Sequence, residues 1–255
     1  MLLLSHPKET KMPELTDLHN TAYNDTVSDA HAFVTNGLGL TTSGRDQVTV
    51  VSPHDAGRAK QKTNKGASVA GGYRKSTGDV VVYASHEVGH EKTDAKTGSL
   101  IVHELTHGGS LNDSYHPYYN ELLAGLGENK YLEWLKTQGR LQPASSFTLR
   151  KAGVRLHIPG SYRYYDADTP NTSQGLVAAS SGKLALVNRG ISPEALLATS
   201  SLGGHEQFGI MRQALDSLHP GLASTVERLP ENTDGILQAS AAVSEAAAHK
   251  GITHL

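Results

Sequence analysis

The sequence predicts an α+β fold, in which a small mixed or antiparallel sheet is combined with helices. Gln47–Ser52 and Asp79–Ala84 are short runs rich in β-branched residues and bordered by turn-forming residues, which is typical of strands. From about Ser192 onward the spacing of apolar residues and the start signals indicate helices. With 255 residues, the chain is near the upper limit for one hydrophobic core. We therefore expect a core over 1–145 and a helix-rich region over 146–255, with a soft boundary that allows both to form one domain.

The other elements follow from apolar spacing and from capping and turn residues. Residues 13–35 predict an amphipathic helix with a break near Asn24, and residues 57–72, rich in glycine and lysine, predict a mobile loop. Two predicted helices run from Thr93 or Asp94 to about His107, and from Pro117 to about Gln138. Further predicted strands are Phe147–Leu149 and Val154–Ile158, and further helices are Pro193–Leu202, His205–Leu218, Leu222–Leu229 and Gly235–His249.

Composition excludes several classes of function. A net charge of −2 provides no basic field for nucleic acid or for an anionic membrane. No apolar run approaches the ~20 residues of a membrane span, and the start of the chain lacks the pattern of a signal peptide, so we expect a cytoplasmic protein unless it leaves by non-classical secretion. The chain has 14 histidines and no cysteine. Imidazole and carboxylate are therefore its strong ligands for a transition metal.

The sequence His103-Glu104-Leu105-Thr106-His107 is an H-E-x-x-H motif within a predicted helix. Positions i and i+4 lie on the same face of a helix, so the two imidazoles can bind one ion. The glutamate between them can take a proton from a water molecule at that ion. We expect His103 and His107 to be metal ligands and Glu104 to be a general base.

A second H-E-x-x-H motif, from His86 to His90, lies upstream. It follows directly on a predicted strand, contains Gly89 and continues into charged residues, a context that disfavours a buried metal helix. The downstream copy instead lies in an apolar, helix-compatible run. We therefore expect His86 and His90 to lie in a loop near the rim of the site.

The third ligand is expected from the following helix. Glu121 lies near the start of that helix, where a short connection can fold it against the first. Ala124 and Gly125 are small residues on the same face, which suits close approach to the metal helix. Glu128, two turns beyond Glu121, is the reserve ligand or a partner for the N–H of a ligand imidazole.

His103-Glu104-Leu105-Thr106-His107 followed by Glu121 on the next helix resembles the gluzincin branch of the zinc metallopeptidases. The resemblance implies one Zn²⁺ per chain held by His103, His107 and Glu121, with Glu104 as general base. It also implies an edge strand before the metal helix, here Asp79–Ala84, that pairs with a peptide substrate. The activity implied is hydrolysis of a peptide or protein, by an endopeptidase rather than an exopeptidase.

Several alternatives remain open in the sequence. Asp113 stands where the metzincin pattern would place a third ligand, although Ser110 replaces the glycine of that pattern and no suitable methionine follows. Tyrosine and histidine side chains after residue 150 are candidates for donors to an oxyanion. The alternatives to a peptidase are a catalytically idle zinc-binding module that acts through protein interaction, and the same chemistry in a secreted bacterial effector or toxin. The candidate oxyanion donors are Tyr162, Tyr164, Tyr165 and His157.

Overall fold

The computed structural model describes residues 23–51, 71–84, 95–109, 115–140, 148–151, 154–157, 174–199 and 204–253. Within these ranges the fold is α+β, as predicted, with a three-stranded mixed sheet, a two-stranded hairpin and α-helices. None of the described helices combines the length and the apolar sequence that crossing a bilayer requires. In chain order the α-helices and strands are α1 (Asn24–Ala32), β1 (Val48–Val51), β2 (Gly71–Arg74), β3 (Asp79–Tyr83), α2 (Ala95–Gly109), α3 (Pro117–Thr137), β4 (Thr148–Lys151), β5 (Val154–His157), α4 (Gln174–Asn188), α5 (Pro193–Ala198), α6 (Gly204–Leu218), α7 (Leu222–Val226) and α8 (Thr233–His249).

Most predicted elements occur within a few residues of their predicted bounds. This holds for β1 and β3, for the β4–β5 hairpin, and for the helices α2, α3 and α5 to α8. Residues 13–22 of the first predicted helix lie outside the described residues, and α1 begins at Asn24, where a break was expected. Among the α-helices and strands, the sequence does not predict β2, which lies at the end of the stretch assigned to a loop, or α4.

The three-stranded sheet has the order β1-β3-β2. β1 runs parallel to β3, and β2 runs antiparallel to β3 with Gly71 opposite Val82. The expectation that Asp79–Ala84 forms the edge strand is therefore wrong, because β3 is paired on both sides. The reason is β2 itself: its Gly-Gly start has little intrinsic strand preference, and the strand forms through its pairing with β3.

α2 is buried along most of its length. It contacts α1, the strands β2 and β3, and α3. Its apolar residues Ile101, Val102 and Leu105 are fully buried in a cluster with side chains of α1, β1 and β3. Burial on several faces means that the polar side chains of α2 must find their partners inside the protein.

α3 contributes to two hydrophobic clusters. Its first half, with Leu122 and Leu126, packs with the C-terminal helices, whereas its last turns, with Tyr131 and Leu135, pack with the sheet, α1 and α2. A helix of 21 residues is about 30 Å long, which is enough to contact both clusters. The helix that ends the predicted 1–145 region thus supplies part of the core around the C-terminal helices.

Glycines permit the close packing of α3 on both neighbouring helices. A Cβ on Gly127 would lie 2.6 Å from Thr106 Oγ1 of α2. A Cβ on Gly125 would instead overlap the carbonyl oxygen of Gly175 in α4. Gly125 therefore allows the approach of α4, not that of the metal helix as the sequence suggested, and Gly127 serves the contact with α2.

Candidate metal centre

His103 and His107 lie one turn apart on α2 and direct their rings toward one point. Their Nε2 atoms are 3.2 Å apart. The ring centroids are separated by 4.8 Å, with the planes nearly perpendicular. Two imidazole nitrogens at this distance either share one proton or bind one cation, because two lone pairs facing each other would repel. His103 is buried and His107 is partly buried.

Glu121 reaches the same point from α3. Pro117, whose fixed φ suits the first turn of a helix, begins α3 and sets Glu121 one turn later, facing α2. Its Oε2 lies 3.6 Å from His103 Nε2, and its Oε1 lies 3.6 Å from His107 Nε2. The three residues can each offer one ligand atom, and these atoms all lie within 4.8 Å of one another.

The distances among these atoms fit a divalent cation of the first transition row. Zn–N distances of about 2.0–2.1 Å and tetrahedral angles place two ligand nitrogens roughly 3.3 Å apart. The two Nε2 atoms are 3.2 Å apart, and each lies 3.6 Å from a carboxylate oxygen of Glu121. Two imidazoles and one carboxylate suit zinc better than magnesium or calcium, which prefer oxygen ligands alone. Three protein ligands also leave one coordination position open.

Glu128 lies behind His103, on the side of the ring away from these three atoms. Its side chain is fully buried, and its Oε2 is 3.3 Å from His103 Nδ1. Ser99 Oγ donates a hydrogen bond of 3.3 Å to the other oxygen, Oε1. A proton kept on Nδ1 by this carboxylate leaves the lone pair of Nε2 free for a metal. This placement suits the partner of an imidazole N–H, the second of the two roles that the sequence left open for Glu128.

Burial and neighbouring charges shift the pKa values of the two imidazoles in opposite directions. Burial alone lowers the pKa of His103, but the contact with Glu128 and the charge of Glu121 outweigh burial and raise that pKa to about 9. Burial lowers the pKa of His107 to about 3, and a charged His103 acts in the same direction. Burial also raises the pKa of Glu121, although a charged His103 opposes this. A bound cation would favour both imidazoles in the neutral form that binds a metal.

Glu104 is next to His103 in the sequence but is not one of the three candidate ligands. It follows His103 directly, so its side chain leaves the helix about 100° around the axis, on the side that packs against β2. The residue is 9% exposed. Burial raises the pKa of Glu104 to about 7, although a positive charge on His103 opposes this shift. A buried carboxylate beside a candidate metal site, with a pKa in the neutral range, suits general acid–base chemistry.

Two glycines that are not among the predicted site residues border the site. A Cβ on Gly175, in the first turn of α4, would overlap Cε1 of His103 and lie 3.1 Å from its Nδ1. A Cβ on Gly71, in β2, would lie 2.8 Å from Glu104 Oε1. Both contacts join residues that are distant in the sequence, and only the paired glycines at 71 and 72 hint at a close backbone approach.

Some of the predicted site residues fall where the structure gives no description. Asp113 and the upstream motif, His86 to His90, lie outside the described residues, and so does the tyrosine cluster. His157 ends β5, of which the structure describes the backbone alone. Their roles stay predictions. The tyrosines in question are Tyr162, Tyr164 and Tyr165.

Comparison with protein-family models, with curated proteins and with solved structures gives no match for this chain.

Proposed function

We propose that this chain is a zinc-dependent metallopeptidase of the gluzincin type. The observation that carries the proposal is the convergence of His103, His107 and Glu121 on one point, beside the buried carboxylate of Glu104. The donor set and its distances suit zinc, and a carboxylate at this place is what hydrolysis by a water nucleophile requires. The resemblance to gluzincins adds the class of substrate, which is a peptide or protein.

Each side chain of the site has its own part in the proposed reaction. His103, His107 and Glu121 hold the ion, while Glu128 keeps the ring of His103 in place from behind. When bound, zinc supplies the positive charge that lowers the pKa of a water molecule to about 7 and polarises the substrate carbonyl. Glu104 accepts a proton from the attacking water and donates it to the leaving amine. Burial, which raises the pKa of Glu104 to about 7, suits it to both steps at neutral pH.

The test of this proposal compares Glu104→Gln with the wild type. The amide keeps the shape of the side chain but cannot accept the proton, so the peptidase rate should fall about 10²–10⁴-fold while bound zinc is retained. Substrates are first found by digesting a peptide library, and rates are then measured on the peptide that the wild type cleaves best. A variant as active as the wild type at equal zinc content would contradict the mechanism and favour the idle module that acts through protein interaction.

Metal analysis of the same preparations identifies the ligands. We expect about one zinc per chain, lost in His103→Ala/His107→Ala and kept in His86→Ala/His90→Ala. The second double variant is the matched control, because it changes the same residue types in the same motif. The opposite result would move the site to the upstream motif.

A further inference from the structure

β2 lies directly on α2 through two contacts that leave no room for a further side chain. A Cβ on Gly71 would lie 2.8 Å from Glu104 Oε1 and 3.2 Å from Glu104 Cγ. Two residues along the strand, the ring of Tyr73 covers Gly108, whose Cβ would lie 2.9 Å from Tyr73 Cε2. Each element thus provides a glycine opposite a large side chain of the other.

The spacing of the two elements explains why both contacts form together. Residues two apart on a strand project from one face and are separated by about 6.6 Å. Residues four apart on a helix share a face and are separated by about 6 Å. Gly71 and Tyr73 therefore match Glu104 and Gly108 in register. Because Glu104 and Gly108 each follow a candidate metal ligand directly, β2 lies next to the ligand face of α2.

We infer that Gly71 is a positioning residue for Glu104, because the side chain missing from this place in β2 leaves the space in which the carboxylate lies. The inference rests on the proposed function, in which Glu104 is the general base. The carboxylate is confined between strand and helix, with 9% of the residue exposed. A methyl group at position 71 would displace the end of the glutamate, the part of its surroundings that moves most easily.

The backbone of β2 does not itself demand glycine at this place. Neither Gly71 nor Gly72 has a positive φ, so another residue could adopt either conformation. The Cβ position at Gly72, which projects from the opposite face, has no atom within 4 Å. At Gly71 the two nearest neighbours are Glu104 and, at 3.1 Å, the carbonyl oxygen of Val81. Glycine is therefore favoured at position 71 because of the atoms of Glu104 and Val81 that face it.

The experiment compares Gly71→Ala with the wild type and with Gly72→Ala, each loaded with zinc. Crystal structures should show the Glu104 carboxylate displaced by about 1 Å in Gly71→Ala and unmoved in Gly72→Ala, with zinc retained in both. A misplacement of about 1 Å costs up to 10²-fold in rate. We therefore expect kcat of Gly71→Ala to fall about 10–100-fold, with KM nearly unchanged because the groups that bind substrate stay in place.

The outcomes separate this inference from the proposed function. An unmoved Glu104 carboxylate, or a wild-type kcat, in Gly71→Ala would overturn the positioning role, even if Glu104→Gln is inactive. If the carboxylate is displaced in Gly71→Ala but the wild type cleaves no peptide, the contact is upheld and the proposed peptidase activity is rejected. If Gly71→Ala fails to fold, Gly71→Ala/Glu104→Ala decides. If the double variant folds, the contact between position 71 and Glu104 is supported. If it also fails to fold, Gly71 is required for the strand itself, and the inference is overturned.

Discussion

Glu128 shows at the scale of one residue how the core serves the site. A fully buried carboxylate is costly unless hydrogen bonds or a positive charge compensate it. Ser99 donates to one oxygen of Glu128, and the imidazole of His103 faces the other. The charge of Glu128 favours a proton on the nearer ring nitrogen, Nδ1, and so favours Nε2 as the nitrogen that would bind a metal. Glu128 is therefore expected to act on the metal through His103 and not as a ligand.

Substitution of each glutamate by glutamine tests this difference. Glu128→Gln keeps the volume but removes the charge behind His103, so zinc affinity should fall about 10–100-fold. Glu121→Gln removes a ligand and should cost considerably more. Glu133→Gln is the control, because this side chain on the same helix is 50% exposed. Affinity is measured by competition with a chelator. Small and equal losses in the first two variants would mean that Glu121 is not a ligand and would favour Asp113.

At the scale of elements, the sequence predicts those helices and strands whose signals lie within their own residues. α2 and α3 carry start signals, periodic apolar residues and, for α3, a proline in the first turn, so they were found with nearly correct bounds. The strand β2 and the helix α4 depend on contacts with distant elements and were missed. α4 has apolar and small residues around most of its surface, without the amphipathic stripe that marks a surface helix. It packs on α3 through Ala179 and Gly182.

The candidate site follows the same rule: residues close in the sequence were predicted, and residues brought in by distant elements were not. His103, Glu104 and His107 lie within one turn of a helix, so their common neighbourhood follows from helical geometry. Glu121 required the additional assumption that α3 folds back on α2, which the structure places in contact. Gly71 and Gly175 contact the site from β2 and α4, neither of which the sequence predicted. What escaped prediction is therefore the enclosure of the site.

Gly175→Ala tests whether α4 supports the proposed metal site. The added methyl group would overlap the ring of His103 and lie 3.1 Å from the Glu121 carbonyl oxygen, so α4 or the ligand must move. Overpacking of this kind costs about 1–3 kcal/mol of unfolding free energy. We expect that loss together with weaker zinc binding, measured by urea denaturation and chelator competition.

The control for this variant is Gly209→Ala in α6, whose added methyl group would meet no atom within 4 Å. Alanine is favoured over glycine inside a helix by up to about 1 kcal/mol, so this variant should be as stable as the wild type or slightly more stable. Equal behaviour of the two variants would show that α4 does not press on His103.

At the scale of the whole molecule, α3 links the two hydrophobic clusters. Tyr118 and Leu122 belong to the cluster of C-terminal helices, and Tyr131 and Leu135 belong to the cluster of the sheet. Glu121, the candidate ligand, lies on the same helix. Loss of α3 would expose apolar surface in both clusters. We therefore expect the described elements to unfold as one cooperative unit, although the soft boundary near residue 145 would allow two.

Thermal unfolding with two probes tests this coupling and the role of zinc together. Trp134 is the only tryptophan of the chain and packs against the sheet cluster, whereas far-UV circular dichroism reports on the helices of both clusters. At a free zinc concentration 100 times Kd, binding adds about 2.7 kcal/mol of stability. For a chain of this size that raises Tm by roughly 5–10 °C. Both probes should show one coincident transition that zinc shifts, and His103→Ala/His107→Ala should show no zinc-dependent shift. If circular dichroism instead shows two steps, of which zinc shifts only the one that coincides with the fluorescence transition, the two clusters unfold separately and α3 does not couple them.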